Sequence, residues 1–332
     1  AFGCDSVTHR AMDDVDALSG MWPIILCGLT DMPKGLLAFF ADLHPDATWA
    51  YRPIFSYLSG RDDATAFNLK QVRRNLLSEV TVEDRADAEE IDGPLTAPSE
   101  AEIKADFAPD GPIAAMYGSY EARPEQLAMA EEVRSALATS THCAIEAGTG
   151  VGKSHAYLLP EILFAQRNNV TIGVATKTNA LTDQLMAHEL PALDQALPEG
   201  VSFHALKGYE HYPCLHRMQR SAEEDLPLDM VLDTNPGRTA TGIASDMLTA
   251  LAVAYASVAQ SPEGDLDALG IRWRCVPRSM LTTTSNECLR IRCPFFPQEC
   301  VVYAARRLAA SGDVVVTNHS LLLRDVASEG RI

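Results

Sequence analysis

The chain has 332 residues, room for two or three domains, and 47% of them are hydrophobic, enough to build their cores. A net charge of −18, from 27 Lys and Arg against 45 Asp and Glu, excludes a uniformly basic nucleic-acid-binding body but leaves open a basic groove on an acidic one. No apolar run approaches the ~18 residues of a membrane helix, and eight cysteines are too sparse for a disulfide scaffold, so composition predicts a cytoplasmic protein without a membrane partner.

Residues 1–112 read as an accessory region. Met21 to Leu29 is apolar but short, broken by Pro23, and lacks the basic flank of a targeting signal. Leu36, Leu37, Phe39, Phe40 and Leu43 predict a short helix within 32–43. Phe67, Leu69, Val72, Leu76 and Leu77 predict another over 66–80, with Lys70, Arg73 and Arg74 on its polar side. Those three cations face either solvent or a nucleic-acid backbone. Residues 79–110 are strongly acidic and broken by Gly93-Pro94 and Pro98, which predicts a mobile linker.

Pro124 at a first helical turn, with Leu127, Ala130, Val133 and Leu137 in a stripe, opens a helix near residue 122. His142 to Glu146 then reads as a buried strand, and Ser154 to Ala165 as a helix carrying Tyr157, Leu158, Ile162 and Phe164. Between them lies Ala147-Gly148-Thr149-Gly150-Val151-Gly152-Lys153-Ser154. A glycine loop between strand and helix turns backbone N–H groups inward on an anion, and the helix N-terminus adds positive potential. Gly148, Thr149, Gly150, Val151 and Gly152 would cradle the phosphates of ATP, Lys153 would reach the β- and γ-phosphates, and Ser154 would sit on Mg²⁺. The bland reading is a glycine turn that merely caps a helix.

Downstream, strands are predicted at 170–175, 201–206 and 313–317, with a helix over 179–190 whose Leu181, Leu185 and Leu190 face inward. The alternation predicts an α/β fold with a parallel sheet. It is interrupted over 207–307, where one alanine-rich helix spans 243–258 among irregular segments. Cys214, Cys288, Cys293 and Cys300 fall in that interruption, 74, 5 and 7 residues apart. One remote thiolate and three close ones suit either tetrahedral Zn²⁺ or a [4Fe–4S] cluster, and spacing does not separate the two. Cys4, Cys27 and Cys143 read as core thiols, with Cys275 a reserve ligand.

From Arg123 to Leu323 the chain resembles the DinG branch of the XPD-like superfamily 2 DNA helicases. The matching pieces are Arg123-Pro124-Glu125-Gln126, Glu146 to Ser154, Ala175 to Leu185, Lys207 to Cys214, the three later cysteines, and Val314 to Leu322, in that order. The resemblance implies a RecA-like motor domain over 113–206 and 308–332, interrupted by an inserted iron–sulfur domain at 207–307. It implies ATP, Mg²⁺ and a [4Fe–4S] cluster as cofactors, single-stranded and fork-like DNA as partners, and 5′-to-3′ unwinding. By the same resemblance Gln126 reads adenine, while Thr176, Lys177, Thr178 and Gln184 lie where the family holds the DNA backbone. Helix capping is the plain alternative for Thr176 and Thr178. His319 reads as a loop-ordering residue. Residues 1–112 match no accessory domain of the family and would serve a protein or ribonucleoprotein partner. An accessory helicase of a CRISPR system and a non-hydrolysing nucleotide-binding scaffold stay open as alternatives. The family's Asp-Glu-x-His stretch and second motor domain are not in these 332 residues, so the piece is expected to bind ATP without turning it over.

Overall fold

The computed structural model describes residues 11–60, 66–80, 93–271 and 273–327. In chain order the elements are α1 (Ala11–Thr30), α2 (Lys34–Asp42), α3 (Arg52–Ser59), α4 (Leu69–Ser78), α5 (Glu100–Asp106), α6 (Pro112–Ala115), α7 (Pro124–Thr139) and α8 (Lys153–Asn168). Strand β1 (Ile172–Thr176) leads into α9 (Asn179–Gln184), a π-helical turn at Leu185–Glu189, and α10 (Leu190–Ala196). After β2 (Phe203–Ala205) come α11 (Leu215–Glu223), α12 (Leu228–Leu232) and the long α13 (Ala240–Gln260). Then follow α14 (Val301–Ser311), β3 (Val314–Asn318) and α15 (His319–Ala327). The chain divides into two compact units, one drawn from Ala1–Leu76 and Pro213–Phe295, the other from Leu77–Tyr212 and Phe296–Ile332. These bounds differ from the break at residue 112 read from the sequence.

The second unit is built on a parallel sheet of order β1-β3-β2, in which Val316 of the central strand pairs with Val174 on one side and Ala205 on the other. Alternation along β3 buries Val314 and Val316 completely, and both join one core with Leu158, Leu159 and Ile162 of α8 and Leu185, Leu190 and Leu193 of the α9–α10 segment. A mixed α/β architecture with a small parallel sheet is therefore present. Two details depart from expectation. Residues 142–146 are not a strand: β3 is flanked on both edges by β1 and β2, and Cys143 and Ile145 stand exposed. Without apolar burial, nothing offsets the entropy of ordering that segment into the sheet. Leu181, expected inward, is 40% exposed, because only Leu185 and Leu190 fall on the buried side of their helix.

The described part of the acidic stretch is not a mobile linker. Ser99 and Glu102 form a reciprocal capping box at the start of α5, at 3.2 and 2.7 Å. Arg167 of α8 then takes the Glu102 carboxylate at 2.6 Å, and Arg167 and Ser99 together pull that carboxyl down to about 2. Thr96 and Asn168 exchange two hydrogen bonds, at 2.7 and 3.0 Å. Beneath these links Ile103, Phe107 and Ile113 are buried in the core of the sheet unit. Composition could not anticipate this, since the acids line the outer face of a helix whose inner face is apolar. Residues 81–92, also within the expected linker, lie outside the described residues.

In the first unit α2 and α3 pack as a pair, and Phe39, Phe67 and Tyr255 of α13 meet with ring centroids 4.7–6.0 Å apart. Trp49 donates its indole N–H to Thr249 on α13 at 3.1 Å. Arg73, expected on a polar face, is fully buried. Its guanidinium donates to the carbonyls of Val258, Ser261 and Pro262 at 2.6–3.0 Å, capping the C-terminal end of α13 where helix carbonyls lack intrahelical partners. Helix α13 is long and apolar enough to cross a membrane, contrary to the sequence reading of apolar runs, but 56% of its apolar window is buried inside the protein, as in a core helix. Cys27 is exposed, as is Cys143 in the other unit, so neither is a core thiol; Cys4 lies outside the described residues.

Candidate functional site

The glycine loop enters α8 through Gly152, whose φ of +86° is left-handed, as is that of Gly150 at +82°. A side chain at 152 would be strained by that φ, and its Cβ would push the Gln126 amide out of its place against the loop. Gln126, 4% exposed on α7, donates from that nitrogen to the Gly152 carbonyl at 2.9 Å, and Arg123 donates to the Gly150 carbonyl. The Arg-Pro-Glu-Gln segment is thus fastened to the loop through its two polar ends. In this conformation the Gln126 amide braces the loop, and reading adenine would require it to turn outward.

Lys153 is exposed, and its ammonium donates to the carbonyls of Ala147 and Gly148 at 3.0 and 3.2 Å. It folds over its own loop, on neutral acceptors that an anionic phosphate would outcompete. Ser154 is half-buried, near Tyr157. Burial pushes the Tyr157 phenol up to about 12, with Glu161 adding to the shift.

The four residues proposed for a DNA backbone cluster after β1. Thr176 is buried; its hydroxyl lies 2.8 Å from that of Thr182 and donates to the Thr178 carbonyl at 3.0 Å. Thr178 caps α9 by accepting from the Leu181 amide at 3.3 Å. Both threonines therefore have structural work; Lys177, Thr178 and Gln184 are exposed, and of these Lys177 and Gln184 are not engaged in capping. Asn318, at the end of β3, bonds the Asn179 side chain at 3.1 Å and caps α15 through the Leu321 amide, which keeps the two strand-end loops side by side. Sequence reading missed Tyr117, His155 and Glu189, which meet beside the loop, His155 buried, Glu189 half-buried and Tyr117 exposed. The only signal available was an ionisable residue directly after Lys-Ser.

The four cysteine ligands expected from the sequence are divided between the two units. Cys214, Cys288 and Cys293 belong to the first unit and Cys300, at the head of α14, to the second. Among the described residues no three His, Cys, Asp or Glu side chains are grouped to hold one metal ion.

A glycine loop with two left-handed residues, feeding a helix that packs on a parallel sheet, defines an α/β protein with a glycine-rich turn at the start of that helix. No family model matches the chain. It is similar to the ATP-dependent DNA helicase YoaA of Escherichia coli K12, 34% identical over 225 residues, which is 67% of this chain and 32% of that protein. It is 37% identical over 232 residues to the ATP-dependent helicase DinG of Mycobacterium tuberculosis H37Rv, 66% of this chain and 33% of the relative. The 3′-5′ exonuclease DinG of Bacillus subtilis is 30% identical over 219 residues, 63% of this chain and 21% of its own length. The matched two thirds of the chain belong to the DinG-type helicases. The chain spans about a third of the length of the first of these relatives.

Proposed function

We propose that this chain contributes the ATP-binding lobe of an ATP-dependent DNA helicase, translocating 5′-to-3′ on single-stranded DNA and opening fork-like duplexes in the cytoplasm. The observation that carries the reading is the loop Gly148–Ser154, with Gly150 and Gly152 left-handed and Gln126 braced against it. In this reading residues 113–206 and 308–332 form a RecA-like motor domain. The backbone amides of Gly148, Thr149, Gly150, Val151 and Gly152 hold the phosphates, Lys153 neutralises them, Ser154 holds Mg²⁺ and Gln126 selects adenine. Lys177, in the turn ahead of α9, and Gln184, the last residue of α9, meet the DNA backbone on a surface that Thr176 and Thr178 keep in shape.

The iron–sulfur centre belongs to the same proposal, with residues 207–307 as its inserted domain. It rests on the order and spacing of Cys214, Cys288, Cys293 and Cys300. Residues 1–112 would engage a protein or ribonucleoprotein partner.

The test is direct binding. Mg·ATP titrated into the 332-residue chain should saturate one site, and Lys153→Ala should weaken it at least about tenfold, the loss of one charge-assisted phosphate contact. Equal affinity of wild type and Lys153→Ala would overturn the assignment of the loop.

A further inference from the structure

One residue past the Lys-Ser pair, α8 carries a histidine with no place in the phosphate chemistry. His155 is 6% exposed; its Nδ1 lies 3.1 Å from the Tyr117 hydroxyl and its Nε2 3.0 Å from Glu189 Oε2. The second contact is close but poorly aligned for a hydrogen bond, which leaves a buried ring nitrogen incompletely satisfied. Glu189 uses its other oxygen, Oε1, to accept from Gln184 Nε2 at 3.3 Å. One carboxylate therefore touches both the first turn of the nucleotide helix and the exposed residue proposed to meet DNA.

The backbone is shaped for that double contact. In a regular α-helix residues 184 and 189 would point about 140° apart around the axis, too far to meet. The π-helical turn at Leu185–Glu189 closes i to i+5 and brings them to one side. Such a turn costs helix regularity, and these insertions concentrate at functional positions. Around Glu189 the interacting ionisable groups are His155, His188, Tyr117 and Tyr157, and its carboxyl is held below the usual range, chiefly by His155.

We infer that Glu189 is a positioning residue that couples occupancy of the phosphate loop to the hold on DNA, through the path His155–Glu189–Gln184. Phosphates drawing in the start of α8 shift His155 against Glu189, and realignment of that pair moves the Gln184 amide. The inference rests on the reading of the loop and of Gln184 given under Proposed function. A purely structural role for Glu189 would alter folding but leave the two ligands indifferent to each other.

The experiment measures the dissociation constant of Mg·ADP for the 332-residue chain, with and without saturating oligo-dT. Wild type is expected to show a ratio of at least about fivefold, and linkage requires the same ratio for DNA with and without nucleotide. Glu189→Ala should bring the ratio below two while leaving nucleotide affinity without DNA within about threefold of wild type. Should Glu189→Ala unfold, as judged by circular dichroism, Gln184→Ala cuts the same path from an exposed position and should also bring the ratio below two. A wild-type ratio retained in a folded variant, or a ratio of one in wild type that binds both ligands, overturns the inference and leaves the loop assignment standing. Failure of wild type to bind Mg·ADP at all overturns both.

Discussion

Glu161 offers a test of the core of the sheet unit that needs no ligand. It lies on α8 with Oε2 buried and without a hydrogen-bond partner, and burial pushes its carboxyl up to about 8 from an ordinary 4.5. Above pH 4.5 the unfolded chain ionises this group, whereas the folded protein keeps it protonated until about pH 8. Unfolding therefore releases a proton throughout that window, and stability falls as pH rises through it. At 1.36 kcal/mol per unit the loss is ~1 kcal/mol at pH 5 and ~3 kcal/mol at pH 7, relative to acid. Glu161→Gln removes the titration, although its amide N–H would itself lack a partner, at a pH-independent cost of ~1–3 kcal/mol. The informative quantity is therefore the slope. Between pH 5 and pH 7 wild type should lose about 2–3 kcal/mol more than the variant in urea unfolding followed by circular dichroism. A wild-type-minus-variant difference that stays flat from pH 5 to pH 8 would refute the buried, protonated carboxyl.

Arg73→Ala should strip three carbonyls at the end of α13 of their donor and cost ~3 kcal/mol or more, whereas exposed Arg74→Ala should stay within ~0.5; urea midpoints of the two variants decide it. Gly152→Ala should strain a left-handed residue, drive a methyl into the Gln126 amide and weaken Mg·ATP binding at least about tenfold, and wild-type affinity in that variant would contradict the loop geometry. For the cysteines, anaerobically purified protein should contain iron and sulfide that Cys288→Ser reduces and Cys27→Ser does not. Stoichiometric zinc without iron would end the iron–sulfur proposal.

The legible parts of this chain were those whose signal is local. The periodicities for α2, α4, α7 and α13 give helices at those places, and the apolar runs for β1, β2 and β3 give strands within one or two residues. The glycine loop was legible because left-handed backbone at Gly150 and Gly152 requires glycine whatever the fold around it. What escaped was decided by partners distant in sequence. Arg73 looks like a surface cation until the end of α13, 185 residues away, supplies its acceptors. Residues 142–146 have a strand's composition, but pairing is a property of the neighbouring strands. Glu189 is one acid among 45 Asp and Glu residues until a π-turn rotates it toward Gln184 and His155 reaches it from α8.

The Thr96–Asn168 exchange and the Glu102–Arg167 pair bear on how this protein tolerates trimming and recombination. Residues 96–115 look expendable by charge, yet Ile103, Phe107 and Ile113 roof the same core that the sheet floors. A shortened protein starting at residue 112 would lose Ile103 and Phe107 at ~1.5–3 kcal/mol each and leave bare apolar surface over α7 and α8, inviting aggregation. To keep the sheet unit whole the start has to lie before Thr96, and a start beyond Arg73 would also strip α13 of Phe39, Phe67 and its Arg73 cap. The same seam is where a different N-terminal region could be grafted onto the sheet unit without opening it, so swaps made upstream of Thr96 should leave Mg·ATP affinity unchanged and swaps made at 112 should not.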